Sequence, residues 1–404
     1  MKTRLLPILL AGALLAGQAQ KAHAQISDNV VRIGVLNDQS GIFSDNAGPG
    51  SVAAARMAVE DFGGSVLGKP IAIVSADHQN KPDIAAAIAR KWIDVDGVDA
   101  IADLAGSAPA FAALTVTREK NKLLLLSSPA STDFTGPQCA PTTIHWTYDS
   151  YALAKGTVQA VVQKGDDRWF FLTADSAGSH AMEKDAMAFV AKAGGKTVGA
   201  VRHPFNTADF SSFLLQAQTS GAKVIGLASA GMDAVNTIKQ ASEFGIQSSG
   251  QKFAGLVMYI GDVDGIGLKD AQGLMVTEPF YWDLNEKTRA WSERFRRLRD
   301  GRVPSSIQAG VYGSVLHYLK AVEAAGTDEG LAVAKAMKRL PVNDFFTENG
   351  RVREDGRVIR DMYLFRVKTP AESSGRWDYY TLQARIPGEQ AFRPLEEGGC
   401  PLVK

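Results

Sequence analysis

The chain has 404 residues, 45% of them hydrophobic, with 44 Lys and Arg against 43 Asp and Glu. That length is enough for about two domains of ~150 residues each with ample core. A formal charge of +1 implies neither nucleic acid nor an anionic membrane as a partner.

The first 24 residues have the three-part layout of a secretory signal peptide. Lys2 and Arg4 lead into the apolar run Leu5 to Gly17, and Ala22-His23-Ala24 supplies a small-residue cleavage site. The mature protein is expected to begin near Gln25. The apolar run is too short to span a bilayer, and Gln18 stands where a lipid-anchored precursor needs a cysteine. Export to the periplasm as a soluble, unanchored molecule is therefore expected. Cleavage takes away three basic residues and no acid, which moves the formal charge from +1 to −2.

Short apolar runs then alternate with alanine-rich amphipathic stretches. Strands are predicted at Val31–Leu36, Ile71–Ala76, Ala100–Asp103 and Leu123–Ser127, separated by helices at Ser51–Phe62, Pro82–Val95 and Pro109–Asn121. Fully apolar strands between helical periods indicate parallel βαβ units buried on both faces. A second series follows, with helices at Tyr151–Lys164, His180–Ala193, Phe210–Thr219 and Ala234–Phe244. Its strands are read at Trp169–Thr173, Thr197–Val201 and Val224–Leu227. The joint between the two halves falls at Trp146-Thr147-Tyr148. Helices at Glu286–Arg299, Ser305–Ala325 and Glu329–Leu340 have no strand between them and must pack on an existing sheet. Met362–Val367 and Trp377–Leu382 alternate with period two and read as added antiparallel strands.

The fold class is thus α/β, with two Rossmann-like lobes joined by a hinge that the chain crosses several times. The predicted bounds are 25–147 with 283–345 for lobe 1, and 148–282 with 346–404 for lobe 2. Ligands of such folds bind at the carboxyl ends of the strands. Cys139 and Cys400, both in Pro/Gly-rich segments, fit a single disulfide in an oxidising compartment. Two unpaired buried thiols are the alternative.

Three segments carry a family resemblance: Ile33-Gly34-Val35-Leu36-Asn37-Asp38-Gln39-Ser40-Gly41, Ser127-Ser128-Pro129-Ala130-Ser131-Thr132, and Ala174-Asp175-Ser176-Ala177-Gly178-Ser179-His180. In this order, behind a signal peptide, they resemble the periplasmic substrate-binding proteins of ABC transporters of the leucine/isoleucine/valine-binding type. The endings Gln308-Ala309-Gly310-Val311-Tyr312 and Pro341-Val342-Asn343-Asp344-Phe345-Phe346 extend the likeness over the mature chain. The resemblance implies a type I periplasmic-binding fold, a monomer that closes over a small polar solute, and an ABC permease as partner. It places a ligand carboxylate on Gly106, Ser107, Ala130 and Thr132. Ser107 also fits the N-cap of a helix starting at Pro109, and the two roles are compatible. Further wall residues are expected at Phe43, Asn46, Tyr148, Ser176, Met258 and Tyr259.

Departures from the family pattern bear on the ligand. Members that take α-amino acids carry aromatics at the positions of Gly178 and near Ala230, and an acid near Leu256–Met258 that pairs with the ammonium. This chain has none of the three. An unpaired ammonium in a closed cleft costs several kcal/mol, so an organic or aromatic acid or an amide is expected in place of an amino acid. Asp233 is the nearest substitute acid, though it also fits a cap of the helix at 234–244. Missing bulk at Gly178 and Ala230 is expected to enlarge the pocket.

The remaining polar residues point to no reaction. There is no GxSxG elbow, no P-loop, no nucleophile near a base in the sequence, and no histidine at metal-ligand spacing. No cofactor or metal is expected. In Arg294-Phe295-Arg296-Arg297-Leu298-Arg299-Asp300, Phe295 and Leu298 are spaced as a buried stripe and the arginines as a solvated face. The alternatives to transport are a periplasmic ligand sensor for a membrane receptor and a secreted α/β enzyme acting on a small acid.

Overall fold

The computed structural model describes residues 25–403; the expected signal peptide, 1–24, lies outside them. The first half contains β1 (Val31–Asn37), α1 (Gly48–Phe62), β2 (Ser65–Val66), β3 (Lys69–Asp77), α2 (Pro82–Asp94), β4 (Ala100–Asp103), α3 (Ser107–Glu119), β5 (Leu123–Leu126) and β6 (Thr143–His145). Its six-stranded sheet runs β2-β3-β1-β4-β5-β6 and is parallel except at β2. The second half contains α4 (Ser150–Gln163), β7 (Arg168–Ala174), α5 (Ala177–Lys192), β8 (Lys196–His203), α6 (Ser211–Thr219), β9 (Val224–Ala228), α7 (Met232–Glu243), β10 (Lys252–Gly255), α8 (Ile260–Ile266) and α9 (Leu268–Ala271). Its parallel sheet runs β10-β9-β7-β8.

The last third of the chain serves both halves. It comprises β11 (Met275–Glu278), α10 (Glu286–Leu298), α11 (Ser306–Ala325), α12 (Gly330–Arg339), β12 (Arg351–Val352), β13 (Val358–Ile359), β14 (Met362–Val367), β15 (Tyr380–Ile386) and α13 (Gly388–Ala391). Trp291 and Phe295 of α10, Val315 and Leu319 of α11 and Met337 of α12 share a core with Ile33 and Val35 of β1. β11, β14 and β15 form an antiparallel sheet, and its Met362 and Leu364 pack with Trp169 and Phe171, while Phe365 and Tyr380 pack with Phe170 and Leu172. Successive residues of β7 therefore serve opposite faces, as the strand period requires.

The structure differs from the sequence reading in several places. β6, β10 and β11 were not predicted. The final strand starts at Tyr380, not Trp377, because Trp377 has φ 76°, which belongs to a turn and not to a strand. Leu298 is exposed although Phe295 is buried, so the stripe on α10 is narrower than its spacing suggests.

Cys139 and Cys400 are bonded, with Cα atoms 5.7 Å apart. Phe392, eight residues before Cys400, sits in the second half's core, whereas Phe134 and Ala140, which flank the Cys139 loop, sit in the first half's core. The bond therefore staples the tail of one half to a loop of the other. In the loop-entropy account, closing 261 residues of sequence separation contributes about 5 to 6 kcal/mol. A Cys139→Ser/Cys400→Ser variant is expected to lose a stability of that order in denaturant titrations, and an unchanged midpoint would refute the assignment.

Candidate functional site

A cavity of about 270 Å³ lies where the carboxyl ends of both parallel sheets meet. The first half contributes Phe43 after β1, Asn80 after β3, Ala105 to Ala108 after β4, and Ser128 to Ala130 after β5. The second half contributes Asp175, Ser176, Gly178 and Ser179 after β7, Phe205 after β8, Ser229 and Ala230 after β9, and Val257 and Tyr259 after β10; Ile307 at the start of α11 completes the wall. Strand ends place these loops because the parallel strands of a sheet all end along the same edge.

Two helix N-termini face the cavity. α3 begins at Ser107 with Gly106 as its N-cap, and α5 begins at Ala177 with Ser176 as its cap. The Ser176 hydroxyl accepts from Ser179 N–H at 3.2 Å. Among the described residues, no protein acceptor takes the N–H of Ser107, Ala108, Ala130, Ala177 or Gly178. Free amides at the positive end of a helix form an anion site without a cation, and no Lys or Arg lines this cavity. Ser107 is the first helical residue and not the cap, because its hydroxyl turns to accept Ser131 N–H at 3.3 Å.

Gly178 does not enlarge the pocket as expected. A Cβ there would stand 2.7 Å from Ser107 Oγ, so the bare backbone lets α5 close directly onto α3. Gly231, at φ 61°, allows the same approach, for a Cβ would meet Ile42 O at 2.3 Å. Phe43 and Phe205, one from each half, meet edge to face with centroids 6.2 Å apart and form an apolar wall.

Of the predicted wall residues, Phe43, Gly106, Ser107, Ala130, Ser176 and Tyr259 line the cavity, and the others lie outside it. Thr132 is turned away, its hydroxyl accepting from Arg393 Nη2 at 2.6 Å. Met258 packs into the second half's core under Gly255. Asn46 is buried and donates to Asp262 Oδ1 at 2.7 Å. Tyr148 stands behind the wall, donating to Ser128 O at 2.6 Å and touching the Tyr259 hydroxyl. Asp233 also lies off the cavity; its carboxylate accepts from Asn206 N–H at 3.2 Å, and burial pushes it up to about 6. Asn80, Asp175, Phe205 and Ser229 were not predicted. Their common signal is position one to three residues beyond a strand.

Asp175 is the one charged residue on the wall; it is solvent-exposed and lies 2.9 Å from His180 Nε2. The structure does bring one hydroxyl to a base, since Ser229 Oγ is 2.7 Å from His203 Nε2. His203 is fully buried, and burial holds its pKa below the ordinary value. Its Nδ1 faces Pro204 O at 2.8 Å and not a carboxylate, so the pair lacks the third group that stabilises an imidazolium in a catalytic triad.

Residues 30–375 match the periplasmic binding protein family. The chain belongs to that family. A crystal structure of a periplasmic binding protein from Burkholderia mallei is 48% identical to it, with TM-score 0.91 over 93% of this chain and 100% of its own. A branched chain amino acid ABC transporter periplasmic ligand-binding protein from Burkholderia xenovorans LB400 is 42% identical, with TM-score 0.83 and the same coverage. A solute binding protein of an ABC transporter from R. palustris, solved with 4-hydroxybenzoate, shares the fold at 18% identity, with TM-score 0.81 over 90% of this chain and 98% of its own. No protein of curated function matches the sequence.

The Asn46–Asp262 bond joins the two halves beside the cavity, and burial pushes the Asp262 carboxyl up to about 6. Opening the cleft returns it to water and toward its ordinary value near ~4. Closing therefore takes up a proton between about pH 4 and 6, so within that window, where a carboxylate solute stays largely ionised, affinity should fall as pH rises and level off above about 6. Titrations at several pH values should show this slope in the wild type and not in Asp262→Asn; parallel profiles would refute it.

Proposed function

We propose that this protein is an extracytoplasmic solute receptor that closes two lobes over a small carboxylate-bearing solute and delivers it to an ABC permease. The observation that carries the reading is the convergence of the α3 and α5 N-termini and the Ala130 amide on one cavity without a cation. Such a site stabilises an anion through oriented N–H groups. The apolar part of the wall, Phe43, Phe205, Val257 and Ile307, suits a hydrocarbon body. Since a cavity of about 150 Å³ holds one benzene ring, 270 Å³ accommodates a single substituted ring or a branched chain of similar bulk.

In this reading the lobes are residues 25–147 with 283–345 and 148–282 with 346–404, and the receptor is a monomer released after cleavage near Gln25. No helix among the described residues is long and apolar enough to cross a membrane, which accords with this. Phe43, Gly106, Ser107, Ala130 and Ser176 contact the ligand, and Tyr148 supports them from behind. The family is one of solute-binding proteins, which favours a receptor over the secreted-enzyme alternative.

An amino acid is the second reading, favoured by the exposed Asp175 at the cavity and by the branched-chain designation of the 42% identical relative. Calorimetry of the purified protein at pH 7 separates the two. Benzoate, hexanoate and 4-methylpentanoate should bind, their uncharged amides about tenfold or more weakly, and leucine more weakly than 4-methylpentanoate, because no buried acid offsets its ammonium. Submicromolar leucine binding with none for 4-methylpentanoate would overturn the carboxylic-acid reading in favour of the amino acid.

A further inference from the structure

Hydrogen-bond direction on the second lobe's wall identifies what the far end of the ligand carries. His203 faces Pro204 O through Nδ1 at 2.8 Å and Ser229 Oγ through Nε2 at 2.7 Å. A carbonyl only accepts, so the single proton of the neutral ring sits on Nδ1 and Nε2 is a bare lone pair. The Ser229 hydroxyl hydrogen is spent on that lone pair. Ser229 therefore offers the cavity an acceptor and no donor.

The same logic fixes Tyr259. Tyr148 gives its one hydrogen to Ser128 O at 2.6 Å, so its oxygen can only accept the hydrogen of Tyr259, with which it is in hydrogen-bond contact. Burial holds both phenols above their ordinary values, so each keeps its proton. Tyr259 too is left with lone pairs alone. The contrast with the other end is sharp: there, free amides and the Ser179 hydroxyl, which receives the Ser176 hydrogen at 3.0 Å, have hydrogens to give.

We infer that the ligand bears a hydrogen-bond donor, a hydroxyl or an N–H, at the end remote from its carboxylate, received by Ser229 and Tyr259. Sheet order sets the separation. β9 is the neighbour of β7, and β10 lies one strand further, so the strands that lead to Ser229 and Tyr259 stand about 5 and 10 Å from the strand that leads into α5. A hydroxylated ring acid or a hydroxylated chain of five to six carbons spans that gap. Ser229 and Tyr259 thus act as specificity determinants through His203 and Tyr148, which fix the direction of their hydrogens. This inference rests on the carboxylate reading above.

The test is a matched series titrated into the purified protein by calorimetry: benzoate, 3- and 4-hydroxybenzoate and 4-methoxybenzoate, with hexanoate against 6-hydroxyhexanoate. At least one hydroxylated acid should bind about tenfold more tightly than its unsubstituted parent, and the methoxy compound should gain nothing over benzoate. Ser229→Ala and Tyr259→Phe should each cut the hydroxyl preference, taken as the ratio of hydroxylated to parent acid affinity within the same variant, to about threefold or less. Acids that bind equally with and without the donor would overturn this inference and leave the carboxylate reading intact. Binding of no acid in either series would overturn both.

Discussion

Two helix N-termini aimed at one small space are the constraint on which the rest of the cleft depends. Each carries roughly half a positive charge, and Gly178 lets them approach so closely that a Cβ there would collide with the Ser107 hydroxyl. Empty, this arrangement sets like partial charges against each other in a poorly hydrated gap; with an anion between them, both ends are satisfied at once. In the proposed reading ligand charge and lobe closure are coupled through the same atoms, which is the differential affinity a closing receptor requires. A cation on the wall would break that coupling, because it would hold an anion whether or not the halves met.

Around that centre two buried titratable groups, Glu278 and Arg357, show how charge is removed or paired. Glu278 lies where the chain leaves the second half, bound by Ser306 Oγ at 2.8 Å and the Tyr380 hydroxyl at 3.0 Å, and burial raises its pKa to about 8. It is thus largely neutral at pH 7 and serves as a hydrogen-bonded joint. Arg357, fully buried beside Tyr148, donates to Tyr148 O at 2.7 Å and lies 3.6 Å from Asp149 Oδ2. That pairing holds the first crossing between the halves in place, and Tyr148 in turn supports the Ser128 carbonyl and the loop that leads to Ala130.

The fold was largely legible because strands buried on both faces are apolar without interruption, as in Leu123–Leu126 and Val224–Ala228. Lys252-Phe253-Ala254-Gly255 and Thr143-Ile144-His145 are too short and mixed to show a period, so only pairing with a neighbouring strand reveals them. At the site, the residues nearest the strand ends were legible and those further along were not. Thr132 lies two residues beyond Ala130, where the chain turns into a short 3-10 helix held by Arg393, 261 residues away in sequence. Met258 fails on parity: Val257 and Tyr259 face the cavity, and the residue between them in an extended segment must face the opposite core. At Gly178 a missing side chain can mean either empty space or a closer neighbour, and only the opposing surface, here Ser107, shows that the neighbour comes close.

Apart from the edge-to-face pair Phe43–Phe205, contacts between the halves beside the cavity are polar where a core would be apolar. Asn46 meets Asp262, and Tyr259 meets Tyr148. Each of these groups finds water when the cleft opens, so each contact adds only about 0.5–1.5 kcal/mol to the closed form. Large apolar faces in the same place would hold the cleft shut regardless of ligand, at roughly 25 cal/mol per Å². In the proposed reading, a few weak polar contacts set against two facing helix ends instead leave the empty receptor free to open, and an anion supplies what closure lacks. The direction of the hydrogens on Ser229 and Tyr259 extends this logic to the other end of the solute: a ligand without a donor leaves two buried acceptors unsatisfied on closing, and the lobes then gain less from meeting.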